Sequence, residues 1–203
     1  MGSSKTTKTY DRAYFRHWYH DARTRISSRP ALERKVHLAV SAAEYLLARR
    51  IRTVLDVGCG EAPWFDVLKS MRRGIVYQGV DSSDYVVRTF GRTRRVRQAT
   101  FGELRTLRLR PGFDLIVCAD VLQYVPAAEL LPGLREICRL VGGVAYIEAF
   151  SREDNMEGDL QGWHVRSAAG YRRLFRQAGL ARCGLNCYVN RRRLRGVNAL
   201  EMC

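Results

Sequence analysis

Between Thr53 and Gly60 a short β-branched run, Thr53-Val54-Leu55-Asp56-Val57, ends abruptly in Gly58-Cys59-Gly60, and Pro63 follows three residues later. The run reads as a buried strand. The glycines read as a turn that leaves bare backbone for something to lie against. Pro63 belongs in the first turn of a helix. Strand, glycine turn and helix open a βαβ unit, and such units build a parallel sheet with helices on its faces.

The rest of the chain continues the alternation. Leu32, Val36, Ala39, Ala43, Leu46 and Leu47 recur at three- and four-residue steps and predict a helix over Pro30–Arg50. The helix from Pro63 carries Trp64, Phe65, Val67, Leu68 and Met71. Val76–Val80 reads as strand two, Ser83–Phe90 as a helix and Arg95–Ala99 as a weak third strand. Phe113–Ala119 is the clearest buried strand; a helix over Ala127–Leu140 and a fifth strand over Gly143–Ala149 follow. Ser167 caps a helix that runs to Ala178 and stops at Gly179. Two last runs, Ala181–Val189 and Val197–Cys203, bracket the basic turn Asn190-Arg191-Arg192-Arg193. They lack a helix between them and therefore pair as an antiparallel hairpin. The expectation is an α/β protein: one three-layer α/β/α sandwich over 29–203 with a seven-stranded, mostly parallel sheet. A polar arm over 1–28, bearing Tyr10, Tyr14, Phe15, Trp18 and Tyr19, precedes it.

Composition narrows the class. A chain of 203 residues with 46% hydrophobic side chains suits one ordinary core. No stretch approaches the roughly 20 apolar residues of a membrane span, and no apolar run follows Met1–Lys5 to make a secretory signal. The six cysteines lack Cys-x-x-Cys spacing, which points to reduced thiols in the cytoplasm. Cys183 and Cys187, in one strand-like run, would stand about 13 Å apart, too far to share a zinc. His17 and His20 have no partner at ligand spacing, so no metal is expected. The net charge of +15 invites a nucleic-acid reading. The basic residues are nearly all Arg, however, with Lys only at Lys5, Lys8, Lys35 and Lys69. That skew looks like a GC-rich bacterial genome more than selection for phosphate contacts.

Asp56 and Pro63 separate the nucleotide readings. A dinucleotide fingerprint wants Gly-x-Gly-x-x-Gly with a helix N-terminus facing pyrophosphate. Here Pro63 replaces the third glycine, and Asp56 would repel phosphate. An acid at that place suits a cationic, zwitterionic ligand. Asp81 ends strand two, 21 residues after Gly60, where a carboxylate can accept both hydroxyls of a ribose.

The Asp56-Val57-Gly58-Cys59-Gly60 turn resembles motif I of the class I, Rossmann-like S-adenosylmethionine-dependent methyltransferases. The resemblance continues through Gly79-Val80-Asp81-Ser82-Ser83, Phe113 to Leu122, a Gly142-Gly143 turn before strand five and the tail Tyr171 to Leu180. It implies S-adenosylmethionine as cofactor and S-adenosylhomocysteine as product. It also implies that Gly58, Cys59 and Gly60 admit the methionine part, with Asp56 organising its ammonium. Asp81 would hold the ribose, with Ser82 beside the adenine. Thr100 and Phe101 match a place where relatives commonly carry an acid for the adenine amine; this chain has none there, and Glu103 comes two residues on. Ala119 would offer its carbonyl to the cofactor's amine, with Asp120 next to it. Gln123 stands where relatives often carry His.

Methyl transfer from a sulfonium is an in-line displacement, in which alignment does most of the work. A base is needed when the acceptor arrives protonated, and His164, Tyr124, Glu148 and Asp120 are the candidates. Trp163, beside His164, is placed either to stack on a planar or cationic acceptor or to anchor its loop. Tyr14 and Trp18 belong to an arm that would either close over the cofactor as a lid or brace the sheet from outside. The additions at the N-terminus and after strand five are short, which favours a small-molecule acceptor methylated on oxygen or nitrogen. Glu148, Glu153, Asp154, Glu157 and Asp159 form an acidic stretch that would tolerate an amine, or else pair with neighbouring arginines. One alternative is an RNA methyltransferase using Arg191, Arg192, Arg193 and Arg195 as a phosphate clamp. The missing Asn/Asp-Pro-Pro-Tyr/Phe and Pro-Cys motifs weigh against it. A non-catalytic cofactor-binding regulator is the other.

Overall fold

The computed structural model describes residues 8–25, 27–155 and 158–193. Ser28 accepts a hydrogen bond from Ala31 N and, with Pro30 in the first turn, starts α2 (Arg29–Leu47). It follows a short helix, α1 (Arg12–Phe15), and a widened helical turn over Arg16–His20 in the arm. The alternation then proceeds as β1 (Thr53–Val57), α3 (Pro63–Met71), β2 (Val76–Asp81), α4 (Asp84–Phe90), β3 (Val96–Gln98), β4 (Phe113–Ala119), α5 (Ala127–Leu140), β5 (Val141–Glu148), α6 (Ala168–Ala178), β6 (Leu180–Gly184) and β7 (Cys187–Asn190). Ser167 caps α6, and Gly179 at φ +88° ends it.

The seven strands lie in the order β3-β2-β1-β4-β5-β7-β6. All pairings from β3 to β5 are parallel, and β7 inserts antiparallel between β5 and β6. Both faces are covered. Val54, Leu115 and Val117 join the core under α2, α3 and α4, whereas Leu55, Ile116 and Cys118 join the one under α5 and α6. Adjacent residues on one strand thus serve opposite cores, which is why β4 reads as an unbroken apolar run. Each such side chain contributes about 1.5–3 kcal/mol by leaving water.

Below the sheet, Asp114 ties β4 to the chain entering β1. It takes both guanidinium nitrogens of Arg49, at 2.7 and 3.1 Å, and the backbone N–H groups of Arg52 and Thr53. Burial works to raise its pKa, but Arg49 and these amides outweigh it and hold the carboxyl below the usual range.

Two expectations about the chain's end change. The run Ala181–Val189 is not one strand: it contains the hairpin itself, turning at Leu185-Asn186 with φ +45° and +63°. A two-residue turn with both φ positive matches the twist of the flanking strands. Cys183 and Cys187 therefore stand on paired strands, not 13 Å apart along one. Arg191–Arg193 form a helical turn after β7 instead of the hairpin loop, and Val197–Cys203 lies outside the described residues. Likewise Gly142 and Gly143 are not a turn. α5 runs straight into β5, and a Cβ on Gly143 would sit 2.3 Å from Asp114 O.

Candidate functional site

The site forms at the carboxyl ends of β1, β2 and β4, the crevice where an open parallel sheet reverses its winding. β1 delivers Gly58 and Gly60 with φ of +69° and +52°. Gly58 N and Cys59 N both donate to Val80 O, which pins the loop against β2. A Cβ on Gly58 would lie 2.4 Å from Val121 Cγ2, so only glycine fits. Asp81 locks the loop from the side: one carboxylate oxygen accepts from Gly60 N and the other from Ser83 N, each at 2.8 Å. Each oxygen keeps a second lone pair for a ligand.

One cavity of about 210 Å³ runs from Gly58 and Gly60 past Asp81 and Ser82 to Thr100 and Phe101. A second, of about 690 Å³, runs from Asp56 and Cys59 to Ala119 and Lys35. They share Tyr19, Gly58 and Asp120, so they are two halves of one cleft divided by a side chain of the arm. Phe15, only 2% exposed, and Tyr19 roof the glycine loop at 3.1 and 3.0 Å from where a Cβ on Gly60 would be.

Three carboxylates converge on this cleft. Burial pushes Asp56 up to about 7, with the Asp81 charge adding to the rise and the Tyr77 hydroxyl, donating at 2.6 Å, opposing it. Burial and the Glu148 charge push Asp120 to about 6, against a smaller pull from Lys35. Burial also raises Asp81, against amides of Ser83, Gly60 and Ser82. Among the described residues none of the three takes part in an ion pair. Oδ1 of Asp120 is buried with no hydrogen-bond partner, on a backbone at φ +61°. Buried, unpaired carboxylates cost free energy that a cationic ligand recovers.

The expected residues separate into two groups. Asp56, Gly58, Cys59, Gly60, Asp81, Ser82, Thr100, Phe101, Ala119 and Asp120 all line the cleft, as do Tyr14, Trp18 and Tyr124. His164 is exposed and lines neither cavity; its backbone N–H donates to Gln123 O at 2.7 Å. Gln123 and Trp163 also stand outside both, with Gln123 Oε1 and Trp163 Nε1 buried and unpartnered. Glu148 is engaged by Lys35 at 2.5 Å.

The acidic stretch is not a uniform rim. Glu153 accepts from Ala168 N at the start of α6, and Asp154 accepts from Ser151 N and Oγ. Asp159 pairs with Lys8, and Glu157 lies outside the described residues. Arg191 and Arg192 follow the end of β7, which runs antiparallel to β5, so they sit at the end of the strands opposite the cleft. Arg195 is outside the described residues. His20 bonds Glu61 at 2.6 Å, and among the described residues no group of three or more His, Cys, Asp and Glu could hold a metal ion.

The sequence also concealed Glu129. It stands at the start of α5, accepts from Gly102 N at 3.0 Å and lines the first cavity beside Thr100 and Phe101. Glu103 instead folds back onto Thr100 N. An acid thus stands beside Thr100 and Phe101 from a helix, 27 residues beyond Gly102, a placement that the packing of α5 on that loop creates.

A family model described as a methyltransferase domain matches residues 10–195. The chain is a class I S-adenosylmethionine-dependent methyltransferase. A search of solved structures places this methyltransferase near a SAM-dependent methyltransferase from Archaeoglobus fulgidus, with 17% identity and a TM-score of 0.61 over 76% of this chain and 70% of the other. It is also similar to the plantazolicin methyltransferase BamL, solved in complex with a desmethyl analogue and SAH (14% identity, TM-score 0.58, 77% and 68% covered). A third neighbour is a putative sarcosine dimethylglycine methyltransferase from Galdieria sulphuraria (17%, 0.60, 85% and 77%). At these identities the likeness speaks for the fold. No curated protein sequence matches the chain. S-adenosylmethionine is the methyltransferase's cofactor, and the site suits it: bare glycine backbone, a carboxylate with two free lone pairs at Asp81 and acids without an ion pair for a molecule that carries both an ammonium and a sulfonium. No helix among the described residues is long and apolar enough to cross a membrane.

Proposed function

We propose that the enzyme methylates an oxygen or nitrogen of a small-molecule acceptor, with Asp120 taking the acceptor's proton. The observation that carries this reading is the roof. Phe15 and Tyr19 of the arm lie directly on the glycine loop and divide the cleft into volumes of about 210 and 690 Å³, together of small-ligand size. Arg191 and Arg192 sit at the end of the strands opposite the cleft, which supports a small acceptor over an RNA clamped there.

Within this reading Gly58, Cys59 and Gly60 carry the methionine part, and Asp56 meets its ammonium. Asp81 holds the ribose hydroxyls. Ser82, Thr100 and Phe101 flank the adenine, with Glu129 on its amine. When bound, S-adenosylmethionine supplies a methyl group activated as a sulfonium. Asp120 joins the two cavities, and its unpartnered oxygen and pKa of about 6 suit a carboxylate that removes a proton from an incoming hydroxyl or ammonium near neutral pH. Tyr124 shapes the acceptor side. The arm, with Tyr14 and Trp18, acts as the lid that excludes water.

The test supplies labelled S-adenosylmethionine with phenols, amines, carboxylates and total RNA to the wild type and to Asp120→Asn. The expected result is transfer to a small acceptor, slowed about 10²–10⁴-fold in the variant, with S-adenosylhomocysteine still bound. Salt-sensitive labelling of RNA alone would overturn the small-molecule reading.

A further inference from the structure

The ammonium of Lys8 is enclosed. Its Nζ lies 3.8 Å from the ring centroid of Tyr124, 5.0 Å from that of Tyr10 and 5.1 Å from that of Tyr14. All three fall within the roughly 6 Å over which a ring face attracts a cation. The Asp159 carboxylate closes a further side as an ion pair, and Gln161 O accepts at 3.1 Å. The side chains of Lys8 and Asp159 are 10% and 8% exposed. Burial lowers the Lys8 pKa, with Asp159 pulling the other way.

This enclosure suits a lysine ammonium, and the same set of groups also suits a substituted ammonium. A lysine ammonium has three N–H donors, and among the described residues its acceptors are Asp159 and Gln161. The remaining walls are ring faces, which attract the N–CH₃ surface of a substituted ammonium as well as a lysine ammonium. The walls come from the arm, the turn after β4 and the loop after β5. Tyr10, Tyr14 and Tyr124 also line the cavity that reaches Gly58 and Asp120. The cage therefore shares three aromatic walls with the reaction cleft, although Lys8 and Asp159 themselves line neither of its two cavities.

We propose that the Tyr10–Tyr14–Tyr124–Asp159 cage is a recognition subsite for a substituted ammonium group of the acceptor, and that Lys8 fills it as an internal substitute until the acceptor arrives. The proposal rests on the small-molecule reading above. A nitrogen held as a cation has no lone pair to attack a methyl group, so the caged group orients the acceptor while a second atom of the same molecule takes the methyl.

The probe is tetramethylammonium chloride, titrated calorimetrically against a sodium chloride baseline of equal ionic strength, with and without S-adenosylhomocysteine. The uncharged tert-butanol serves as a control of similar bulk. The Lys8→Ala variant is expected to bind tetramethylammonium at least tenfold more tightly than the wild type and to gain nothing for tert-butanol. Its arm retains the contacts of Tyr10 O with Ser83 and of His20 with Glu61. Adding Tyr124→Phe should preserve the gain, and adding Tyr124→Leu should abolish it. Equal tetramethylammonium affinity in wild type and Lys8→Ala, or an equal gain for tert-butanol, overturns the proposal and leaves Lys8 a clasp. S-adenosylhomocysteine binding in the same samples shows that the protein is folded and competent. Its presence without an ammonium gain rejects the cage alone, whereas labelling of RNA and of no small acceptor in the transfer assay rejects the reading beneath it.

Discussion

Asp56 makes cofactor affinity a function of pH. In the free protein its pKa is about 7, raised by burial and the Asp81 charge and only partly countered by the Tyr77 hydroxyl. The protonated form is therefore favoured on folding, and that stabilisation is lost as pH rises through about 7. A ligand ammonium beside Asp56 favours the ionised form and returns the pKa toward the ordinary carboxylate value of about 4. Binding then releases a proton wherever the free carboxyl still holds one. With those two values, affinity for S-adenosylhomocysteine should fall about thirtyfold between pH 8 and pH 5.5, or about 2 kcal/mol. Calorimetry in buffers of different ionisation enthalpy measures both the affinity and the proton count, expected to be about half a proton near pH 7. Asp56→Asn should bind more weakly at pH 8 and lose most of the slope. The slope that remains should lie below about pH 6, where Asp120 titrates. A wild-type profile flat between pH 5.5 and 8, or the same slope in Asp56→Asn, would refute the assignment of Asp56 to the ammonium.

Other outcomes follow from single contacts. Gly60→Ala should cost about 1–2 kcal/mol of stability for a left-handed residue, and should lose cofactor binding because the new methyl presses on Tyr19 and Phe15. Unfolding and titration of one sample check both. Glu129→Gln keeps the bond from Gly102 N but removes the charge, and should weaken S-adenosylhomocysteine about five- to tenfold, close to 1 kcal/mol; unchanged binding would place the adenine elsewhere. Asp114→Asn should lower stability by about 1–3 kcal/mol near neutral pH. The folded pKa of Asp114 is depressed, so its contribution is present above the ordinary carboxylate range and is lost as pH falls through the folded value. The gap between variant and wild type in urea unfolding should therefore narrow as the pH is taken from neutral to below the ordinary carboxylate range. A gap of the same size at both pH values would mean that Asp114 acts by shape alone.

The parts of the fold legible in the sequence were those set by local physics. Phe113–Ala119 and Ala127–Leu140 read to the residue, because an apolar run bounded by Gly112 and Asp120, and an amphipathic one starting after Pro126, leave little choice. The hairpin was misplaced because Leu185 is an unusual residue at positive φ, whereas Asn190-Arg191-Arg192-Arg193 looks like a loop by charge alone. The glycine loop and Asp81 were legible because spacing along β1 and β2 fixes them. Glu129 and the Lys8 cage were not. Each depends on segments far apart in sequence, 27 residues for Glu129 to Gly102 and 153 for Lys8 to Gln161, and no local pattern marks such pairings. His164 attracted attention as a titratable residue in the right loop, yet its side chain faces solvent.

The most direct test of the account is titration of S-adenosylhomocysteine into the wild type and into Asp81→Ala. Asp81 both braces Gly60 and presents its remaining lone pairs to the cleft. The account predicts micromolar or tighter binding to the wild type and a loss of at least tenfold, about 1.4 kcal/mol or more, in the variant. Equal binding by the two proteins, or none by the wild type, would contradict it.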